Sequence, residues 1–181
     1  MSDKQTIQAA GQDLLRRVAA VMDQVDWASF LELADMLPRA RQIFVTGAGR
    51  SGLVARSFGM RLMHAGLRAF IPGETITASI GPGDLLVAIS CTGQTGITDY
   101  FARRARQFGA KVVVLTAEET STLARDADKI VLIPAKDNDI VLRAAVFEHA
   151  CSLSLDAVFN VLSDRLKLDQ AAFQRRHANL E

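Results

Sequence analysis

The stretch FVTGAGRSGL, residues 44–53, decides the fold of this 181-residue chain. A short apolar run leads directly into three glycines, Gly47, Gly49 and Gly52, at the spacing G-x-G-x-x-G. Such a turn joins a buried strand to the N-terminus of a helix, where free backbone N–H groups and the helix dipole favour an anion. The segment therefore predicts a strand–turn–helix unit, and it raises the question whether the turn binds a nicotinamide dinucleotide or another phosphorylated ligand.

The same alternation of strands and helices continues through the middle of the chain. Five short apolar runs with helical stretches between them read as strands: QIFVT, RAFIP, DLLVAIS, KVVVLTA and KIVLIP. Near-continuous hydrophobic strands are typical of a parallel sheet with helices on both faces. We therefore predict an α/β fold, a three-layer α-β-α sandwich around a five-stranded parallel sheet.

Helical patterns flank this core on both sides. Residues 1–40 form a helical preface, with apolar periodicity from Thr6 to Gln24 and from Trp27 to Leu37. The parallel α/β core spans 41–134, and residues 135–181 form C-terminal helices, of which Val141–Leu166 is long and apolar. The length and the 49% hydrophobic content fit a single domain over 1–181.

Composition excludes several classes of function. The 21 Lys and Arg nearly balance the 20 Asp and Glu, so no general field attracts nucleic acid or an anionic membrane. The N-terminus lacks a leader pattern, and no apolar run approaches the roughly 18 residues of a membrane span. Cys91 and Cys151 have no metal-ligand spacing, so we expect no metal site and a reducing, cytoplasmic location.

A second turn, SCTGQTGIT from Ser90 to Thr98, follows the third predicted strand. It carries more hydroxyl groups than the single one that an N-cap needs. Several hydroxyls beside exposed N–H groups suit the three oxygens of a phosphate monoester. Because both turns follow parallel strands, they face one crevice at the carboxyl edge of the sheet.

Two alternatives remain open for the first turn. Glu74 lies about the right distance downstream for the ribose contact of a nicotinamide dinucleotide, but such a site does not require the hydroxyls of the second turn. A purely structural turn explains the glycines but not Arg50 and Ser51 at the helix start. A phosphorylated sugar accounts for both turns, with its phosphate at the second and its hydroxyls at the first.

The paired motifs GAGRSG and SCTGQTG resemble the sugar isomerase (SIS) domain family, which has a flavodoxin/Rossmann-like sheet. Within it the chain is similar to the 6-phospho-3-hexuloisomerases, through Gly49–Thr77 with its RLMHAG and GET, and through the ending RHANLE, Arg176–Glu181. The resemblance covers nearly the whole chain. It implies an intramolecular oxidoreductase of the aldose–ketose type that interconverts D-arabino-hex-3-ulose 6-phosphate and fructose 6-phosphate through an enediol.

The same resemblance implies the wider setting of the reaction. The family serves the ribulose monophosphate pathway of formaldehyde assimilation, uses no cofactor, and works with 3-hexulose-6-phosphate synthase. SIS domains pair with sites near subunit interfaces, and the long helix Val141–Leu166 exceeds what one sheet face needs. We therefore expect a homo-oligomer, either a dimer or a homotetramer.

The resemblance also assigns site residues. Glu148, a charged residue in an otherwise apolar helix start, matches the catalytic carboxylate, with His64 and His177 as further catalytic candidates. The candidates for sugar and phosphate binding are Gly49, Arg50, Ser51, Ser90, Cys91, Thr92, Gly93, Thr95 and Glu74. From the residues alone, Glu148 also fits a solvated helix face and His64 a helix C-cap. His177 lies in a terminal segment, and the resemblance of RHANLE to the family ending implies that it docks against a site, either in its own chain or in a neighbouring subunit.

One segment departs from the family pattern. The run DIVLRAAVFEH stands where hexuloisomerases carry a Q-P-M-G-[ST] type run, and it places Ala144 and Ala145 where glycine and hydroxyl residues are expected. The loop at the sugar end of the pocket is therefore altered, and either the substrate has shifted or Arg143 replaces the contact. Another SIS isomerase and a non-catalytic sugar-phosphate sensor are the competing functions.

Overall fold

The computed structural model describes residues 2–180, and its elements follow the predicted order. The helices are Asp3–Met22 (α1), Trp27–Met36 (α2), Gly49–His64 (α3), Gly96–Gln107 (α4), Thr122–Arg125 (α5), Ile140–Arg165 (α6) and Gln170–Arg175 (α7), with a 3-10 turn at Leu37–Arg39. The strands are Ile43–Gly47 (β1), Ala69–Phe70 (β2), Leu85–Ile89 (β3), Lys111–Thr116 (β4) and Lys129–Leu132 (β5).

All five strands are parallel, in the order β2-β1-β3-β4-β5. Helices α1, α2, α3 and α6 build one hydrophobic cluster with one face of the sheet. Helices α4 and α5 cover the other face. The predicted three-layer sandwich with a five-stranded parallel sheet and an N-terminal helical segment is thereby confirmed.

The strand order creates a crevice between β1 and β3. Helix α3 connects β1 to β2 on one face of the sheet, whereas α4 connects β3 to β4 on the other face. The turns that follow β1 and β3 therefore diverge at the carboxyl edge of the sheet. A side chain at Gly47 would place its Cβ 2.8 Å from the Ser51 backbone and 2.9 Å from the Ile89 carbonyl oxygen. Glycine at the end of β1 is therefore needed for the close approach of α3 and β3.

Helix α6 is long and apolar enough to cross a membrane by length and composition. The expectation that no run approaches a membrane span was therefore too strong. More than half of its most apolar stretch, 56%, is buried inside the protein, where α6 packs against α1, α2 and α3. Burial of this kind is typical of the core helix of a folded domain.

At the opposite edge of the sheet, Asp84 ties the start of β3 to the segment before β1. Its carboxylate is fully buried and accepts hydrogen bonds from Arg41 Nε at 3.0 Å and from the Gly81 N–H at 2.8 Å. A second Arg41 nitrogen lies 2.7 Å from Asp84 Oδ2. This buried acceptor fixes the register of the strands at the edge away from the crevice.

We predict that Asp84→Asn lowers the free energy of unfolding by about 1–3 kcal/mol, because the amide replaces an acceptor by a donor that faces other donors. Denaturant unfolding measures the loss. Asp35→Asn is the matched control, since Asp35 forms an ion pair with Arg165 that is nearly half exposed on both sides, and a change within about 0.5 kcal/mol is expected. Equal losses in both variants would contradict the role given to Asp84.

Candidate active site

The turn after β3 arranges hydroxyl groups at the N-terminus of α4. The hydroxyl oxygens of Ser90 and Thr95 lie 3.0 Å apart, and the Gly93 N–H donates to Ser90 Oγ at 3.1 Å. Thr95 is the N-cap of α4, yet its side chain makes no capping hydrogen bond to the first helical turn. This hydroxyl turn, Ser90–Thr95, therefore offers both hydroxyls and helix N–H groups to an anion.

Gly93 gives this turn its shape. Its φ of 61° lies in the left-handed region, and a Cβ there would stand 2.0 Å from Ser121 Oγ. Any other residue would be strained by its backbone and would clash with the segment that follows β4. Thr92 completes the turn by accepting a hydrogen bond from the Gln94 N–H at 3.3 Å.

The first glycine turn places a cation and a hydroxyl in the first turn of α3. This helix begins at Gly49, which has a φ of 55°. Ser51 is buried, whereas the Arg50 side chain is more than half exposed and reaches across to α6. Its partner there is Glu148.

Glu148 is a buried carboxylate in the crevice wall, with 8% of its surface exposed. Its Oε2 lies 2.5 Å from Arg50 Nε, within ion-pair distance, although the N–H does not point along the contact and no hydrogen bond forms. Burial raises the pKa of this carboxyl above its ordinary value, and the charges of Arg50 and His149 act against the rise. The alternative of a solvated carboxylate on a helix face is therefore wrong.

Cys91 contributes mainly its backbone. Its carbonyl oxygen accepts hydrogen bonds from the Ala117 N–H at 3.0 Å and from Thr116 Oγ1 at 3.3 Å, which joins the turn to the end of β4. Burial raises the pKa of the Cys91 thiol, and this favours the protonated form over a nucleophilic thiolate. The same thiol is close enough to Arg143, Glu148 and Glu118 for their charges to act on its pKa.

Glu74 does not join the residues of the two turns. Its carboxylate forms an ion pair with Arg56, and both side chains are about half exposed. Arg56 lies on α3, and Glu74 lies in the segment after the edge strand β2. Within the described residues, the structure therefore places this predicted binding residue beside α3, outside the contacts of the hydroxyl turn.

His64 ends α3 and lies under the C-terminal segment. It is 3% exposed, its ring is stacked on that of His177 with centroids 4.1 Å apart, and Phe173 packs at 4.8 Å. Arg176 donates a hydrogen bond to the His64 carbonyl oxygen at 3.0 Å. Burial lowers the pKa of His64, helped by His177 and Arg61, so the ring is held neutral rather than as a charged C-cap.

The histidine pair is far from Glu148 in the same chain. Arg50 and His64 stand at opposite ends of α3, about 21 Å apart at 1.5 Å per residue. The three predicted catalytic residues are therefore not brought together by one chain. The RHANLE segment is described as far as Leu180, and its final Glu181 lies outside the described residues.

The structure adds charged residues that the motifs did not indicate. An open cavity of about 520 Å³ lies beside the hydroxyl turn, lined by Ala117, Glu118, Lys136, Asp137, Asn138 and Arg143. The sequence motifs did not indicate Glu118. Its position directly after β4, at the carboxyl edge of the sheet, is the feature from which it could have been predicted. Among residues 2–180, no group of three or more His, Cys, Asp or Glu side chains is arranged to hold a metal ion.

Comparison with known proteins agrees with this fold. The SIS domain model matches residues 36–159. A 3-hexulose-6-phosphate isomerase of Mycobacterium gastri is 35% identical over 97% of this chain and 95% of its own length. One of Bacillus subtilis is 37% identical, over 83% and 85% respectively. A crystal structure from Methanococcus jannaschii, from which the function of 3-hexulose-6-phosphate isomerase was inferred, has a TM-score of 0.87 at 29% identity, covering 95% of this chain and 99% of that one.

The five-stranded parallel sheet and the family model that matches more than half of the chain show that this protein belongs to the SIS domain family. Within it, the chain belongs with the 3-hexulose-6-phosphate isomerases.

The contact with Arg50 predicts how Glu148 titrates. In Arg50→Met the carboxyl loses its nearest positive charge, so its pKa, already raised by burial, is expected to rise further. Carbon-13 NMR of glutamate-labelled protein follows the titration. Arg56→Met is the control, because it removes the partner of Glu74 from the same helix and is expected to leave Glu148 unchanged. A pKa for Glu148 that stays the same or falls in Arg50→Met would contradict the assigned contact.

Proposed function

We propose that this protein interconverts D-arabino-hex-3-ulose 6-phosphate and fructose 6-phosphate. The observation that carries the proposal is the buried Glu148 carboxylate, held beside Arg50 in a crevice whose other wall is the hydroxyl turn. The relatives that bear the name of this activity match nearly the whole chain. The phosphate is bound at the hydroxyl turn, by Ser90, Thr92 and Thr95 together with the helix N–H groups.

In the proposed reaction, Glu148 acts as the base. It removes the proton from C2 of the 3-ketose, and the electrons of that bond form the 2,3-enediol as the C3 carbonyl oxygen gains a proton. Return of the proton to C3, with loss of the proton on O2, leaves the carbonyl at C2. Arg50 stabilises the negative charge on the enediolate oxygens. A carboxyl with a raised pKa suits this task, since it is a stronger base than an ordinary glutamate and can return the proton that it accepts.

The position of the histidines leads us to place the complete site between two chains. His64 and His177 lie about one helix length from Glu148, so they reach a substrate at that carboxylate only from a second copy. Antiparallel pairing of α3 with its copy about a two-fold axis brings one end of the helix opposite the other. His177, which is exposed, would face the partner's site, and buried His64 would support it.

The surface around Glu148 supports such pairing. A groove of about 260 Å³ runs between α3 and α6 from Arg50 to Ser152. Exposed apolar side chains lie on both helices: Leu53, which lines the groove, at 65%, Met60 at 51% and Leu153 at 51%. Apolar residues on a surface of this kind favour contact with another protein surface, and we propose a homodimer or a homotetramer.

The proposed reaction also indicates a partner enzyme and a cellular location. The 3-ketose substrate is the product of 3-hexulose-6-phosphate synthase, which joins formaldehyde to ribulose 5-phosphate, so the synthase is the functional partner. We propose a cytoplasmic location for this protein and no cofactor, since the proton transfers need none.

A coupled assay tests the activity. The synthase generates the 3-hexulose 6-phosphate, and NADPH formation reports fructose 6-phosphate. Glu148→Gln is expected to lower kcat by about 10²–10⁴-fold, because it removes the base while keeping shape. Glu32→Gln, which removes an exposed partner of Lys129, is the control and is expected to retain full activity. If wild-type protein binds fructose 6-phosphate without turnover, the isomerase proposal fails and the sugar-phosphate sensor takes its place.

Mixing two inactive variants tests the shared site. Chains with Glu148→Gln are combined with chains carrying His177→Gln after mild dissociation. If each site takes Glu148 and His177 from different chains, one site of every mixed dimer is intact, and random mixing restores about a quarter of wild-type activity. Mixtures that stay as inactive as their parents, with mixed dimers present by native mass spectrometry, would place each site within one chain.

A further inference from the structure

Arg143 is held against the wall of the cavity next to the hydroxyl turn. It lies in the first turn of α6, and its side chain is about one-fifth exposed. Its Nε donates a hydrogen bond to the Ala135 carbonyl oxygen at 3.1 Å, and one terminal nitrogen pairs with Glu118. A guanidinium has five N–H donors, so three remain beyond these two contacts in the described part of the chain.

The cavity continues directly from the hydroxyl turn. Ala117, which lines the cavity, donates its N–H to the Cys91 carbonyl oxygen, and the Glu118 N–H donates to Thr116 Oγ1 at 3.2 Å. Thr116 in turn donates to the Cys91 carbonyl. A ligand whose phosphate rests on the turn therefore has the cavity on one side, and Arg143 and Glu148 are both close enough to Cys91 of the turn for their charges to act on its pKa.

The charges around the cavity favour hydroxyl groups over a second phosphate. Lys136 and Arg143 bring positive charge, but Glu118 pairs with Arg143, and Asp137 pairs with Arg17 at 2.7 Å. Asn138 adds an amide that both donates and accepts. Such a balanced set of donors and acceptors matches a neutral polyhydroxyl chain, whereas a second phosphate would face two carboxylates.

We propose that Arg143 is a specificity-determining residue that donates hydrogen bonds to the hydroxyl oxygens of an open-chain sugar phosphate at the end away from the phosphate. The inference rests on the proposed sugar-phosphate site and adds to it the group that recognises chain length. We expect a six-carbon chain anchored at the hydroxyl turn to reach the guanidinium, and a five-carbon chain to end short of it. Ala144 and Ala145, beside Arg143, carry no polar side chain that would make this contact instead.

Direct binding tests the inference without relying on turnover. Calorimetry compares fructose 6-phosphate, ribulose 5-phosphate and inorganic phosphate for wild-type protein and for Arg143→Ala. We expect the affinity for fructose 6-phosphate to fall about tenfold or more, as for loss of a hydrogen bond from a charged donor, with the other two ligands changed by less than about twofold. Arg143→Lys is expected to resemble Arg143→Ala, because the ammonium lacks the planar fork.

Two controls separate recognition from structure. Arg165→Ala removes an arginine with an ion pair at the other end of α6 and is expected to leave all three affinities unchanged. Glu118→Gln breaks the same ion pair but keeps the guanidinium, so it is expected to weaken fructose 6-phosphate binding by less than about threefold. Equal weakening by Glu118→Gln and Arg143→Ala would assign the effect to the ion pair and overturn the inference.

The remaining outcomes distinguish this inference from the proposed activity. If Arg143→Ala weakens inorganic phosphate as much as fructose 6-phosphate, or weakens neither, Arg143 does not recognise the sugar chain. If wild-type protein shows no turnover but the preference for six carbons disappears in Arg143→Ala, the isomerase proposal fails and the inference stands. If wild-type protein turns over and Arg143→Ala keeps the preference for six carbons, the isomerase proposal stands and the inference fails.

Discussion

The whole arrangement depends on the burial of both faces of the sheet. Strands β1, β3 and β4 are apolar along nearly their whole length, and the residues of β3 are all buried. A strand of this kind is stable only when helices cover both faces, so the connections after β1 and β3 run to opposite sides. The gap that this leaves at the carboxyl edge holds the hydroxyl turn, the glycine turn and the start of α6. The candidate site is thus a consequence of how the core is covered.

Within that gap, Glu148 and Arg50 hold each other in place at some expense of stability. An unpaired carboxylate in a buried position is unfavourable by several kcal/mol, and the arginine offsets part of this. Because the contact lacks hydrogen-bond geometry, the buried oxygen keeps an unused acceptor position. This is a poor arrangement for a purely structural residue, and it suits the base that we propose.

The opposite end of α3 has a different character. His64, Phe173 and His177 form an aromatic cluster that fastens the C-terminal segment to the body, and Arg176 closes it through the His64 carbonyl. Stacking explains why these residues lie together in one chain, but it leaves them a helix length from the carboxylate. In the proposed dimer, the two ends of α3 become parts of a single site only through the contact of one chain with another. The fold of one chain would then supply two half-sites.

The sequence by itself determined the features that depend on neighbours along the chain: the five strands, the glycine turn, the hydroxyl turn and the single charge in an apolar helix. These follow from local spacing, and both glycine-containing turns lead directly into helices, α3 at Gly49 and α4 at Gly96. Only the tertiary structure decided which distant groups meet. It paired Arg50 with Glu148, Glu74 with Arg56, and Arg143 with Glu118. Such pairs depend on how α3 and α6 pack over the sheet, and no spacing within one segment encodes the position of another.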